Sequence, residues 1–389
     1  LKSTEREVKA NGKRQTEKGD GRGDVQNSKR RGKMKNRIVM LVLVGLLAAG
    51  LVFIDPAHQT AQAQGKKVSW IGQSALPSGM PPSVGLQDLC DRVKKVSGGR
   101  FIMTAKPAGS VCPATKEWQA INKGVLDFGA TGGSYEVPEI PFGSILSQRV
   151  GARLSPLGHM MWFAVEGRAI VNKWYKKMGY NFLNLGGLHG LPEGWIHLDK
   201  ELKGPQDLKG LKMRASGDGG IVLSRMGVGT VFMPLGEVFE NFKRGIIDAY
   251  ECSCPSFDYT MKLFEVGKYY YLSPTRAPWE MYEVQVSRSK WEALPEDLKA
   301  IFLNCLRATE VEYHAKLVKS NAEAVEGFKA KGVKVQNLPS SIDEAFVPQA
   351  VKYLQEVAAK HESMKEVLTS QLKFEEMWKN LYGLPSPGK

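Results

Sequence analysis

Apolar and polar positions change period repeatedly along this chain, and the changes mark out its elements. KVSWIGQSA, residues 67–75, reads as a strand. Residues 83–97 follow at helical spacing and stop at Gly98-Gly99. RFIMTAKPAG reads as a second strand, TKEWQAINKG as a helix closed by Gly124, and VLDFGATG as a third strand. Residues 157–178 give a longer helical stretch, and NFLNLGG a strand that leads elsewhere. Farther on, LKMRA reads as a short strand and GGIVLSRMG as the helix after it. From Leu294 the pattern turns helical to about Lys331, and again from Ile342 to Leu381 with a break near His361. Alternating strands and helices predict an α/β fold.

One unit is echoed. Lys123-Gly124-Val125-Leu126-Asp127-Phe128 resembles Arg244-Gly245-Ile246-Ile247-Asp248-Ala249, each after a short amphipathic helix. A helix stopped by glycine and followed by a buried strand is one αβ unit. Two copies suggest one per lobe, although αβ units resemble one another in any case.

The N-terminus breaks the alternation. Residues 1–37 are polar and basic, with too little apolar content to bury a core. Met34–Arg37 then precede an apolar run from Ile38 to Ile54 and an Ala61-Gln62-Ala63 site. That order predicts a secretory signal peptide, with an uncleaved anchor as the alternative. Removing it leaves about 325 residues, more than one core comfortably serves, so two lobes are expected.

The cut also changes the charge. The first 37 residues carry a net +8 of the chain's +14, which with Asp55 in the apolar segment leaves +7 for the remainder. This suits anionic small ligands. No basic stripe interleaved with aromatics points to nucleic acid. Cys90, Cys112, Cys252, Cys254 and Cys305 are odd in number and lack zinc spacing. They read as structural thiols, Cys90 and Cys112 being the pair a bridge would join. His189 reads as a neutral structural histidine.

The chemistry centres on GLKMRASGDGG, residues 210–220. Its glycines lack the third position of G-x-G-x-x-G, and Asp218 would repel phosphate, so a dinucleotide loop is disfavoured. Arg214 instead falls at the carboxyl end of a strand, where open α/β sheets place ligands. Its guanidinium offers a planar fork matching a carboxylate, and the following helix N-terminus favours an anion. A solvated surface arginine is the plainer alternative.

GPQDLKGLKMRASGDGGIVLSRMGVGTVFMPLGEVFENFKRGIIDAYE resembles the signature of the DctP-type solute receptors of tripartite ATP-independent periplasmic (TRAP) transporters. Similarity extends to PSGMPP, VSGGRF, PAGSVCPATKEWQAINKGVLDFGATGGSY, KLFEVGKYYYLSP and SKWEALPEDLKAIF, covering nearly all of residues 66–385. The KYYY run, APWE and the long C-terminal helix look most like the branch binding 2-oxo or 2-hydroxy monocarboxylates.

The resemblance implies a two-lobed periplasmic binding protein fold with crossover hinge strands and long C-terminal helices. The expected division is a disordered or over-long upstream segment at 1–33 and a signal peptide at 34–63. Lobe I is then 64–180 plus 252–275, lobe II 181–251 plus 276–340, and 341–389 a helical extension. Arg214 would clamp the ligand carboxylate, and Tyr135 would line the pocket. Glu251 would help hold a cation beside the ligand, joined by Glu280. Trp279 is a further ligand candidate, with a core or rim position as the alternative. For Glu251, a plain ion pair with Arg214 is the alternative.

Three features depart from the branch, one being a longer spacing from Trp195 to Arg214. Cys252 stands where it carries Trp, and Leu191 where it carries a Gln four residues before Trp195. Glu193 is placed to take over a polar role. No cofactor is required, a calcium or sodium ion being the one accessory the resemblance allows. The implied protein is a periplasmic receptor, not an enzyme. Its partners are a small organic acid, TRAP permease subunits and, through the C-terminal helix, a second copy. An exported α/β enzyme acting on a small carboxylate, or the receptor of an ATP-driven importer, are the rivals.

Overall fold

The computed structural model describes residues 67–136, 139–233 and 235–382. The expected upstream segment and signal peptide lie outside these residues. Two mixed sheets carry the fold. The first contains β1 (Val68–Ser74), β2 (Phe101–Lys106), β3 (Phe128–Gly132), β4 (Phe182–His189) and, from much later in the chain, β10 (Met281–Ser287), in the order β2-β1-β3-β10-β4. The second contains β5 (Gly194–Leu198), β6 (Lys212–Arg214), β7 (Gly229–Val231), β8 (Ala249–Tyr250), β9 (Tyr269–Leu272) and β11 (Lys334–Asn337), in the order β11-β9-β5-β8-β6-β7.

The sheets divide the chain differently from the expectation. β4 and β10, placed in lobe II, pair antiparallel with each other in the first sheet. β9, placed in lobe I, pairs with β5 in the second. The reason is non-local pairing: β10 enters between β3 and β4 although about 150 residues separate it from β3 and about 90 from β4, which no local pattern reveals. The chain therefore leaves the first sheet at 190–193 and returns at 273–280. These two crossovers run side by side, Gly190 N donating to Glu280 O at 2.6 Å and Glu193 N to Ala277 O at 3.2 Å.

The echoed αβ unit occurs once per sheet. Gly124 (φ +75°) and Gly245 (φ +68°) both take the left-handed turn that ends the helix. In each copy the aspartate accepts a backbone N–H from the neighbouring strand. Asp127 Oδ2 takes Ile71 N, and Asp248 Oδ2 takes Lys212 N, both at 2.9 Å. The strand after Gly124 begins at Phe128 rather than Val125, because Val125 N and Leu126 N bond back to Ala120 O.

The helix Glu296–Ala330 runs from β4 of the first sheet to β11 of the second. The C-terminal region breaks at His361 as its pattern predicts, giving Ser340–Lys360 and Glu362–Tyr382. The first packs on Gly217–Arg225 beside the second sheet, and the other on Pro156–Trp162 and Arg168–Lys177 beside the first. Arg149, buried, pairs with Glu375 of the last helix. No Cys90–Cys112 bridge forms, and all five cysteines are free thiols. No helix among the described residues is long and apolar enough to cross a membrane.

Candidate functional site

Arg214 ends β6 in parallel register with Tyr250 of β8, so the residue after β8, Glu251, lies beside it. The arginine is only 4% exposed, which removes the solvated-charge alternative. Nη1 donates to Glu251 O at 2.8 Å and to Glu251 Oε1 at 3.0 Å, and Nε to Met233 O at 3.3 Å. Among the described residues Nη2 has no hydrogen-bond partner, so part of the fork remains for another acceptor. Its guanidinium also faces the ring of exposed Phe232, 5.9 Å from the centroid.

Glu251 receives more than Arg214. Ser216, just before the helix Gly217–Arg225, donates to Oε1 from its backbone N–H at 2.6 Å and its hydroxyl at 3.0 Å. The helix N-terminus expected to favour a ligand anion thus already holds an internal carboxylate. Glu251 Oε2 makes no hydrogen bond and faces Arg276 Nη1 at 3.3 Å.

Arg276 comes from the returning crossover and is 1% exposed. Nη2 donates to Glu193 Oε2 at 2.7 Å and Gly194 O at 2.9 Å, and Nε to Trp195 O at 3.2 Å. Burial pulls its pKa down, but Glu251 and Glu193 more than offset this and leave it raised. Glu193, from the outgoing crossover, also accepts from Gln148. Burial, with Glu280 and Glu251 nearby, pushes its carboxyl well up despite Arg276. One glycine of the 217–220 cluster, Gly219, serves this packing. Gly217 has φ +58°, and a Cβ on Gly219 would lie 3.0 Å from Arg276 Cγ.

The first sheet contributes the other side. Tyr135 follows β3 in a 3₁₀ turn and hydrogen-bonds Tyr282 of β10. Its phenol is raised by burial and then by Glu280, and it also senses Glu193 and Arg214. Glu280 accepts from Ser253 Oγ at 3.0 Å and from Tyr282 OH at 2.9 Å. Burial pushes its carboxyl up, and those two hydrogen bonds pull against it. Buried Arg214, Glu251 and Glu193 and half-buried Glu280 and Tyr135 therefore form one group where the two sheets meet. Trp279 packs behind it: its indole N–H goes to Leu146 O at 3.1 Å and its ring stacks on His159 at 4.2 Å. His189 is buried between Gly187 O and His159, and burial lowers its pKa to about 4, so it is neutral.

Sequence reasoning missed Arg276. It stands in SPTRAPWE, a proline-containing connection that reads as an ordinary loop. Only the recognition that this loop is a crossover would have marked its charge. A hollow of about 200 Å³ lined by Arg149, Val347, Leu354, Leu372 and Glu375 contains none of these residues. Charge, not size, selects the site.

What the group offers chemically is a buried guanidinium, Arg214, oriented by Glu251, with one nitrogen that has no hydrogen-bond partner among the described residues. Two sheets joined by paired crossovers around such a centre define the class, a two-lobed solute-binding protein. The particular family follows from the sequence comparison: the chain belongs to the bacterial extracellular solute-binding proteins of family 7, DctP, whose model matches residues 71–361. The monocarboxylate 2-oxoacid-binding periplasmic protein of Nostoc sp. strain PCC 7120 is 28% identical over 311 residues, 79% of this chain and 84% of that protein. A TRAP transporter solute-binding protein from Bordetella bronchiseptica, with copurified calcium and picolinate, superposes with a TM-score of 0.72 at 25% identity. That match covers 82% of this chain and 96% of the other. The fold is shared with a TRAP periplasmic protein of Colwellia psychrerythraea holding calcium and pyruvate. There the TM-score is 0.75 at 23% identity, over 82% of this chain and 98% of the other.

The residues here do not suit such a cation. Both oxygens of Glu251 face guanidinium groups, and both oxygens of Glu280 accept hydroxyl hydrogens. Among the described residues no group of three or more His, Cys, Asp or Glu is placed to hold a metal ion. A calcium ion on Glu251 Oε2, at an ordinary 2.4 Å or so, would lie within about 6 Å of Arg276 Nη1. At an effective dielectric of 20, that repulsion is on the order of 5 kcal/mol.

Proposed function

We propose that this chain is the extracytoplasmic receptor of a TRAP-type transporter and that it captures a small organic carboxylate between its two lobes. The ligand carboxylate takes Arg214 Nη2, and Tyr135 lines the opposite wall from the first sheet. Closure about the paired crossovers removes water from the ion pair and strengthens it. The closed form is then handed to membrane permease subunits, without any catalytic step. The signal peptide at 34–63 delivers the chain to the periplasm. Glu193, Glu251 and Glu280 set the field in which Arg214 works, and Trp279 braces the crossover that carries Glu280.

The observation that supports this most is the buried Arg214 with a nitrogen that has no hydrogen-bond partner among the described residues, near Tyr135 of the first sheet. The neighbouring family members named for 2-oxoacids or holding pyruvate and picolinate support the ligand class. A thermal-shift screen tests it, using 2-oxo and 2-hydroxy monocarboxylates, picolinate, neutral sugars and amino acids. A ligand at about a hundred times its Kd adds roughly 2.7 kcal/mol, a shift of several degrees. Carboxylates should give that shift. A response confined to neutral sugars would end the reading.

A further inference from the structure

We propose that Arg276 supplies beside Glu251 the positive charge that related structures obtain from a bound calcium or sodium ion, so that this receptor holds its anion without a metal ion. The inference rests on the receptor reading above and adds how the site is balanced.

Four contacts fix Arg276 in that role. Its Nε and Nη2 bind the carbonyls of Trp195 and Gly194 at the start of β5, and Nη2 also binds Glu193. Nη1 is thereby aimed at Glu251 Oε2, 3.3 Å away. Nε and Nη2 are committed to the chain and Nη1 is turned to Glu251, so Arg276 acts behind Glu251 rather than on the cargo. Room for the side chain is built into the neighbouring helix. Gly219 lies against it so closely that a methyl group would meet Arg276 Cγ at 3.0 Å and Cδ at 3.4 Å. Two side chains near the group point the same way. Leu191, which has no oxygen to offer a metal, packs in the apolar cluster with Cys252 and Cys254. Cys252 contacts Met261 Sδ at 3.8 Å. Of the two Glu251 oxygens, Oε1 accepts from Arg214 and Ser216, and Oε2 is balanced by the charge of Arg276.

Arg276 is thus a positioning residue. With it in place, Glu251 keeps Arg214 oriented through Oε1 while its second oxygen is balanced by a charge belonging to the chain itself. A dissociable ion is replaced by a tethered one. The expected consequence is a receptor indifferent to calcium and sodium.

The test titrates pyruvate into the full mature chain by calorimetry after dialysis against EDTA in a sodium-free choline buffer, then with calcium, then with sodium. Wild-type Kd values should agree within about threefold across the three buffers. A loss of about tenfold or more in EDTA, restored by calcium or sodium, overturns the inference while leaving the receptor reading intact. Arg276→Gln should bind about a hundredfold more weakly in EDTA and recover at least about tenfold with calcium, because Glu193 and Glu251 are then open to a cation. A variant equal to wild type in EDTA contradicts the role given to Arg276. Should Arg276→Gln not fold, the three wild-type titrations decide the matter alone. If neither pyruvate nor any other short carboxylate binds in any buffer, the receptor reading fails and this inference falls with it.

Discussion

Replacing Arg214 by alanine separates binding from folding. In the folded chain the arginine supplies three donors' worth of contacts: to Glu251 O, Glu251 Oε1 and Met233 O. Removing it leaves two buried carbonyls short of a donor. Glu251 keeps both Ser216 donors and the charge of Arg276. Breaking a buried pair ordinarily loses 3–5 kcal/mol, and this compensation places the stability loss near the lower end, about 3 kcal/mol. For binding, truncating one partner of a buried charge pair removes roughly 2–5 kcal/mol. Only Nη2 is uncommitted here, so the lower half applies, about 2–3 kcal/mol, or a roughly 30- to 150-fold rise in Kd. Urea unfolding of the ligand-free chain reads the first quantity, and calorimetric titration with pyruvate the second. Arg214→Lys, which keeps charge but not the fork, should fall between wild type and alanine in both. A folded Arg214→Ala chain with Kd within about threefold of wild type would refute the assignment.

Three further outcomes follow from the packing. Burial pushes the Asp258 carboxyl from its ordinary 3.8 up to about 7, against hydrogen bonds from Tyr270 and Ser253. Its ionisation therefore destabilises the fold: nothing is lost below about pH 4, the loss grows between about 4 and 7, and it is complete above. Asp258→Asn should gain on wild type by up to roughly 4 kcal/mol between about pH 4 and pH 8 in urea titrations, and a pH-independent difference would contradict this. Glu375→Ala strands buried Arg149, whose pKa burial has already lowered to about 9, and should lose about 3 kcal/mol in the same assay. Glu376→Ala, one residue on and exposed, should lose nothing measurable, and equal effects would contradict the weight given to the Arg149–Glu375 pair. Thiol titration should find slow, partial reaction from half-buried Cys112 in the native chain and five thiols after denaturation. Fewer than five would mean that a bridge exists.

Much of this was legible in the sequence where interactions are local. Gly98-Gly99, Gly124 and His361 end their helices where the pattern puts them, because a left-handed or extended residue stops a helix by itself. Arg214's position at the end of a short strand before a glycine cluster was legible locally, whereas the role proposed for it came from the family resemblance. The plainer alternative for Glu251, an ion pair with Arg214, is what the geometry contains. Lobe boundaries were not legible: strand 281–287 belongs with 128–132 and 182–189 only through pairings far apart in sequence. Arg276 escaped for the same reason, since its partners at 193–195 and 251 approach it only once the crossovers lie side by side.

A crystal structure of the chain with pyruvate bound would test the central claim most directly, through the distance from the ligand carboxylate to the Arg214 guanidinium. The predicted value is about 2.8 Å to Nη2, with the ligand enclosed between the two sheets. Pyruvate bound elsewhere, with Arg214 still touching only Glu251 and Met233, would contradict it.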